Sequence, residues 1–255
     1  MKISQGIEIP DSLPALFLSR HKALVIADLH IGYEAALREK GIHMPDSSYP
    51  LIKRTIDCLL KSTGATQIII LGDLKHEFGK PSAQEWIEVM DLLEYLSVSK
   101  KEVHVVRGNH DNLINRILSR YDVTLHERSM LMGTIFLAHG DKVFTVPERV
   151  RTIITAHEHP AVISRDKSGS RYKFKCFLIG KIGKKRLIVM PALSPLSSGV
   201  GINEAEREAL LSPLLRETDI DSFVPIVVEE DVGIFKFPSI GAMRQLNSQA
   251  ERLLR

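Results

Sequence analysis

A chain of 255 residues is long enough for one large domain with a sizeable buried core. With 44% hydrophobic and 25% charged residues it is not a disordered chain, and no run approaches the roughly 20 apolar residues of a membrane span. A formal charge of +3 neither demands nor excludes an anionic partner, so the placement of charge matters more than its sum.

Residues 1–22 hold no apolar stretch long enough for a signal peptide, and Pro10 and Pro14 interrupt them, so a cytoplasmic protein is expected. Residues 23–27 (ALVIA), 67–71 (QIIIL), 103–106 (VHVV), 134–138 (TIFLA) and 152–156 (TIITA) read as strands buried on both faces. Between the first three, residues 48–62 place Leu51, Thr55 and Leu59 down one side with Ile52, Ile56 and Leu60 beside it. Residues 82–96 carry Trp86, Val89, Met90, Leu93 and Leu96 at helical spacing, with Pro81 at the entry. This alternation predicts an α/β architecture. From residue 161 the pattern changes: 161–165, 171–179 and 186–190 read as consecutive strands separated by DKSGS and KIGKK turns, which predicts a second, antiparallel or mixed sheet. Residues 199–221 read as partly helical, 226–237 as one or two strands, and 241–255 as a short or fraying helix. A core over residues 1–200 with an extension over 201–255 packed on the same domain is expected. Cys58 and Cys176 sit in apolar runs and read as buried thiols in a reducing compartment.

Each strand of the first part ends in polar residues. Asp28 and His30 follow the first, Gly72, Asp73, Lys75 and His76 the second, and Gly108, Asn109, His110 and Asp111 the third. His139 follows the fourth, and His157, Glu158 and His159 the fifth. Alone, Asp28 or Asp111 reads as a helix cap, Asn109 as a turn residue and His76 or His139 as a loop histidine. Together they lie at the carboxyl ends of their strands, where α/β sheets bind ligands. Converging there without a cation would bring carboxylate repulsion and unsatisfied polar groups. Four histidines, two aspartates and an asparagine, with no thiolate, suit ions that accept imidazole. Seven donors suit two ions about 4 Å apart with a bridging carboxylate, an arrangement that activates water and clamps oxygens around phosphorus.

The order Asp28-x-His30, Gly72-Asp73, Gly108-Asn109-His110-Asp111, His139 and Ala156-His157-x-His159 resembles the calcineurin-like metallophosphoesterase superfamily, over about residues 23–190. The resemblance implies a two-sheet αββα sandwich flanked by helices, and a hydrolase with two divalent ions, manganese first, with nickel, iron or zinc as alternatives. It implies Asp28, His30 and His159 as ligands of one ion, Asn109, His139 and His157 of the other, and Asp73 as the bridge. It also implies that His110 donates a proton or hydrogen bond to the substrate, with Asp111 orienting its imidazole. The stretch Gly72-Asp73-Leu74-Lys75-His76 is similar to the form found in double-strand-break repair nucleases, and DLHIGYE with LGDLKHEFG resembles a small prokaryotic branch related to them, found in bacteria beside DNA ligase. His76 would then be a second imidazole near the phosphate or a loop hydrogen-bonding residue. This branch implies a phosphodiesterase, plausibly a DNA repair nuclease, with a homodimer and a helicase, ligase or ATPase among the partners to consider, and no membrane. A phosphomonoesterase or cyclic-nucleotide phosphodiesterase on the same site, or a scaffold of the same fold without chemistry, are the alternatives. Against the scaffold, no ligand is missing and His110 is present.

The stretch from Arg165 to Arg186 carries nine basic side chains against Asp166 alone. Lys173 and Lys175 alternate with Tyr172, Phe174 and Cys176, so one strand face is basic. With Lys184, they form either a groove for a phosphate backbone next to the His157 and His159 ligands, or a solvated hairpin whose lysines blunt an edge.

Overall fold

Two sheets face each other in the computed structural model, which describes residues 1–43, 47–166 and 168–253. The first runs in the order β1 (Lys2–Ser4), β2 (Ile7–Glu8), β3 (Leu16–Leu18), β4 (Ala23–Ile26), β5 (Gln67–Leu71), β6 (Glu102–Val106) and β7 (Val123–His126). Strands β4 to β7 are mutually parallel, and β1 to β3 form an antiparallel meander on the β4 edge. The second sheet contains β8 (Met130–Met132), β9 (Ile135–Leu137), β10 (Thr152–Thr155), β11 (Pro160–Arg165), β12 (Arg171–Ile182), β13 (Lys185–Val189) and β14 (Val200–Gly201). Its order is β14-β11-β12-β13-β10-β9-β8, with β15 (Val224–Glu229) paired to β12 and β16 (Gly233–Lys236) to β15. Strands β9, β10 and β13 are parallel.

Side-chain alternation along the parallel strands sets the layers, because successive residues of a strand point to opposite faces. In β4 and β5, Leu24, Ile26, Ile68 and Ile70 face helices, while Ala23, Val25, Ile69 and Leu71 face the second sheet. In the second sheet, Leu137, Ile154 and Ile188 face inward, and Phe136, Ile153, Leu187 and Val189 face outward. Both faces of each sheet are therefore buried, which is why these strands read as continuous apolar runs.

On the outside of the first sheet lie α1 (Tyr33–Glu39), α2 (Ser48–Thr63), α3 (Ala83–Val98) and α4 (Asn115–Leu118). Helix α2 buries Ile52, Ile56, Leu59 and Leu60, whereas Leu51, expected on its apolar side, is exposed. Cys58 on the same helix is also exposed, contrary to expectation, and Cys176 is buried. Ser82 caps α3 by accepting from the Glu85 N–H at 3.1 Å. On the outer face of the second sheet, Leu210, Leu215, Ile220, Phe223 and Ile240 cover the core. They come from the chain after β14, including α5 (Pro213–Arg216) and the start of α6 (Ile240–Leu253). The sequence expectation for 241–255 falls on α6, with Leu254 and Arg255 outside the described residues. No helix among the described residues is long and apolar enough to cross a membrane.

Phe177 of β12 is fully buried between the sheets. Phe177→Ala should cost about 3–5 kcal/mol through lost burial and a residual cavity, read as a lowered urea midpoint with an unchanged m value.

Candidate metal centre

Parallel strands deliver their carboxyl ends to one edge of each sheet, and both edges open on the same side. The ladder between β4 and β5 continues past the strand ends. The N–H of Asp28 donates to the Gly72 carbonyl at 3.1 Å, that of His30 to Asp73 at 2.9 Å, and that of Ile31 to Leu74 at 3.1 Å. This extension sets the two aspartates side by side. Asp28, His30, Asp73, His157 and His159 all adopt left-handed backbone conformations, with φ between 46° and 65°. Such conformations cost on the order of 1 kcal/mol or more each for non-glycine residues and cluster at functional sites. Two glycines permit the close approach. A Cβ on Gly72 would collide with the His139 ring, and one on Gly108 with the Asp73 carboxylate and backbone nitrogen.

Two groups of side chains can each hold a cation: Asp28 with His30 and His159, and Asp73 with His139 and His157, the ligand atoms of each group lying within 4.8 Å of one another. Asn109 joins the second group, its Oδ1 3.1 Å from His139 Nε2. Asp73 lies between the groups. Its Oδ2 is 3.3 Å from His139 Nε2 and 3.9 Å from both His30 Nε2 and His110 Nε2. Asp28 Oδ2 is 3.3 Å from His159 Nε2 and accepts the His157 N–H at 3.2 Å, tying the two sheets together. His139 Nδ1 lies 3.0 Å from the Leu71 carbonyl; donating there leaves Nε2 with its lone pair toward the cluster. A third group, His30, His76 and His110, lies beside the first two.

The donors fit a divalent cation. Asp28 Oδ1 and His30 Nδ1 are buried without a hydrogen-bond partner, which is costly unless something else satisfies them. Burial drives His30 down to about 3 and His157 and His76 down to about 4, keeping them neutral, the form that binds metals. Burial would also lower His139, but Asp73 and Asp28 hold it up at about 10. Burial would raise Asp73, yet the surrounding histidines, His139 foremost, hold it well below the usual carboxylate range. Without a cation, protonated histidine is what balances the two carboxylates.

Asp111 does not orient His110. Its fully buried carboxylate accepts the backbone N–H groups of Gly108 at 2.8 Å, Asp73 and Leu74 at 2.9 Å, and Lys75 at 3.5 Å. Those amides belong to the turns after β5 and β6, so Asp111 braces one against the other. His110 is instead oriented through Nδ1 by the His76 carbonyl, and its N–H donates to Asp73 Oδ1 at 2.9 Å. His76 stacks on Tyr33 with ring centroids 4.0 Å apart, and Phe78 covers His110 at 3.7 Å.

Further carboxylates work the same way, and sequence reasoning gave them no role. Buried Glu85 accepts from the His76 and Glu77 amides at 2.7 and 2.8 Å. Glu158, between two ligand histidines, accepts from Leu211 and Ser212 at 3.2 and 2.8 Å, fastening the C-terminal region to the site. The spacing Ser82-x-x-Glu85 is a capping-box signal, but Glu85 turns to the β5 loop rather than back to its cap.

The three hairpin lysines are not brought together. Lys173 is exposed and donates to the Gly199 carbonyl at 3.1 Å. Lys175 is largely buried and its ammonium donates to the Ala192 carbonyl at 2.9 Å and to that of Ser194, so it is not available to a phosphate backbone. Lys184 lies in the β12–β13 turn, at the amino edge of β13 and β10, opposite the edge that carries the ligands. Lys167 of the same stretch lies outside the described residues.

The fold and site together define a two-sheet sandwich whose cleft, at the carboxyl edges of its strands, gathers side chains that can hold cations. Residues 21–222 match the model of the calcineurin-like phosphoesterase family, and the chain belongs to that family. A search of curated proteins gives no match. Among solved structures, the chain is similar to the Pseudomonas putida nuclease MPE at 18% identity, covering 89% of this chain and 92% of that one, with a TM-score of 0.63. It is more distantly similar to Yfce, a phosphoesterase from E. coli, at 20% identity, covering 70% and 84%, with a TM-score of 0.41. The family read from the motifs is thus the family matched, and the nuclease shares the fold.

Asp111→Ala should lower stability by about 3 kcal/mol or more, because several buried N–H groups lose their acceptor, and should weaken manganese binding measured by calorimetry. An unchanged melting temperature would remove the bracing role. Burial lowers Lys175 to about 8 from 10.5, so between those values the unfolded chain holds the extra proton and stability rises with pH. Lys175→Met should flatten that rise in chemical denaturation curves collected from pH 7.5 to 10.5.

Proposed function

We propose that this protein hydrolyses phosphodiester bonds with two divalent ions, manganese first among them, and that its substrate is a polynucleotide. The observation that carries the reading is the pair of donor groups meeting at Asp73. Asp28, His30 and His159 would hold one ion, Asn109, His139 and His157 the other, with Asp73 shared. When bound, the ions would supply Lewis acidity toward the phosphoryl oxygens and a water nucleophile at neutral pH.

The chain's own residues supply the rest. His110 presents Nε2 to the cluster because its Nδ1 is engaged by the His76 carbonyl. In that orientation it delivers a proton or hydrogen bond to a phosphoryl or leaving-group oxygen. The β5 turn that holds His76 is pinned by Glu85, by the Ile31 carbonyl at 2.9 Å and, through its earlier amides, by Asp111. His76 and Phe78 wall the cluster beside His110 and narrow the approach of water. The Pseudomonas putida protein of the same fold is a nuclease, which supports a diester rather than a monoester as the substrate to test first.

After chelation and reloading with manganese, bis(p-nitrophenyl) phosphate should be cleaved faster than p-nitrophenyl phosphate, and nickel, iron, zinc and magnesium should be compared in the same assay. A preference for the monoester would replace the diesterase reading with a phosphatase. His110→Ala should lower turnover of the diester about a hundredfold while metal content by mass spectrometry stays at the wild-type value. Full activity in that variant would show that His110 is not the acid.

A further inference from the structure

The sandwich has a second open end, at the amino edges of the parallel strands, and it is lined by cations. Thr152 of β10 pairs with Arg186 of β13, and Arg186 pairs directly with Lys181 of β12. Arg151 immediately precedes β10, and its carbonyl accepts the Arg186 N–H at 2.9 Å. Ile179 and Ile188 point between the sheets, so by strand alternation Lys181 and Arg186 do too, beyond the last layer of the core.

Two cavities occupy this mouth and share Lys181 and Arg186 as walls. One, of about 520 Å³, is closed by Arg20, Arg151 and Lys184. The other, of about 560 Å³, is closed by Lys2 and Lys236. Their floors are the end of the inter-sheet core, with Ile135 in the first and Ile3, Ile179 and Ile226 in the second. Among the described residues no aspartate or glutamate lines either cavity, and none of these basic side chains forms an ion pair. Glu8, opposite Lys2 in the ladder, lines neither cavity.

This arrangement opposes stability. Like charges directly opposite on neighbouring strands repel, and Lys181 faces Arg186 with no anion between them. Some surface cations elsewhere take partners, as Arg107 does with Glu127 at 2.7 Å and Arg165 with Glu204 at 2.9 Å. The mouth lacks them where its cations are most crowded.

We infer that this mouth is a binding site for single-stranded nucleic acid, separate from the metal centre. Adjoining cavities that share a cationic wall suit a chain of phosphates better than a single one. The floors are aliphatic rather than aromatic, so the cationic groove tracking the phosphates carries the binding, and a flexible single strand can follow both adjoining cavities where a stiff duplex cannot bend to do so. The inference does not need the catalytic reading, since binding here requires neither metal nor cleavage.

The test uses a fluorescein-labelled 20-mer of thymidylate and anisotropy in EDTA, with salt varied. Replacing Arg151, Lys181 and Arg186 with Gln should weaken binding at least tenfold and reduce the salt slope by about 2, from three lost phosphate contacts to a single strand. Asp73→Asn, which impairs the metal centre, should bind as the wild type does. Unchanged affinity in the triple variant, or an equal loss in Asp73→Asn, overturns the proposal. So does binding to phosphatidylserine vesicles or to duplex that exceeds binding to the single strand. Should the triple variant melt below the assay temperature, hydrogen exchange on the wild-type protein decides. Oligonucleotide-dependent protection of residues 181–186 supports the site, and protection confined to the turns after β4, β5 and β6 overturns it.

Discussion

The centre depends on one carboxylate that binds nothing but backbone. Asp111 gathers amides from the turns after β5 and β6, groups that would otherwise end their strands unpaired in a buried place. A turn that carries a metal donor cannot also satisfy its own amides by regular ladder pairing. The carboxylate removes the conflict, fixing the Asp73 backbone from one side while the His110 amide fixes its Oδ1 from the other. Only Asp73 Oδ2 is left to face the histidines. Glu85 does the same for the loop that carries His76, and Glu158 for the segment that closes over His157 and His159. Rigid placement of a functional group is achieved here by acids one step behind it.

The same logic explains why the ligand-bearing backbone tolerates strain. Left-handed aspartates and histidines are unfavourable in isolation, yet five of the donors adopt that conformation. Extended ladder bonds between β4 and β5 and the Asp28 bond to the His157 amide over-determine the positions, so no single relaxation relieves them. Electrostatics adds a second tension. Asp28 and Asp73 sit buried together, and in the absence of a cation the balancing charge falls on protonated His139 and His159, each raised by the carboxylates beside it against the pull of burial. A divalent ion would relieve both the charge imbalance and the unpartnered polar atoms, so ion binding and stability are coupled.

Much of this was legible in the sequence, for identifiable reasons. The run QIIIL reads as a buried strand because both of its faces are covered, and β5 occupies those residues. Donors at strand ends are legible because chain direction in a parallel sheet places every carboxyl end on one side. Periodicity could not separate β9 and β10 from β4 to β6, since all look alike when buried on both faces; sheet membership comes from pairing distant in sequence. The meander β1–β3 and the strands β7 and β8 escaped notice because most of these short runs are only partly buried and lack the continuous apolar signature that marks β4 and β10. The resemblance implied that Asp111 orients His110, but in this chain its carboxylate accepts backbone amides of the turns after β5 and β6 instead. Tyr33 and Phe78, which pack on His76 and His110, leave no local signal, since their partners lie elsewhere in the fold or turn.

Charge is distributed along the sandwich axis in a way that the net value of +3 conceals. The carboxyl edges collect aspartates and histidines because the chemistry of the site needs them, and in the absence of a cation the carboxylates there are balanced by protonated histidine. The amino edges collect arginine and lysine on β12, β13 and the residue before β10, where like charges stand opposite one another. Lys184, which the sequence pattern grouped with Lys173 and Lys175, belongs to that far edge, because a hairpin carries its two ends to opposite poles of the sheet. Lys175, by contrast, spends its charge on the carbonyls of Ala192 and Ser194, in the loop whose Ser194 amide holds the Asp28 carbonyl at 3.1 Å. One hairpin thus supports the metal centre at one end and supplies an exposed positive field at the other. A polyanion approaching this protein meets unbalanced positive charge at the amino pole, whereas at the carboxyl pole the apo cleft is balanced within itself and a bound cation would add positive charge to it.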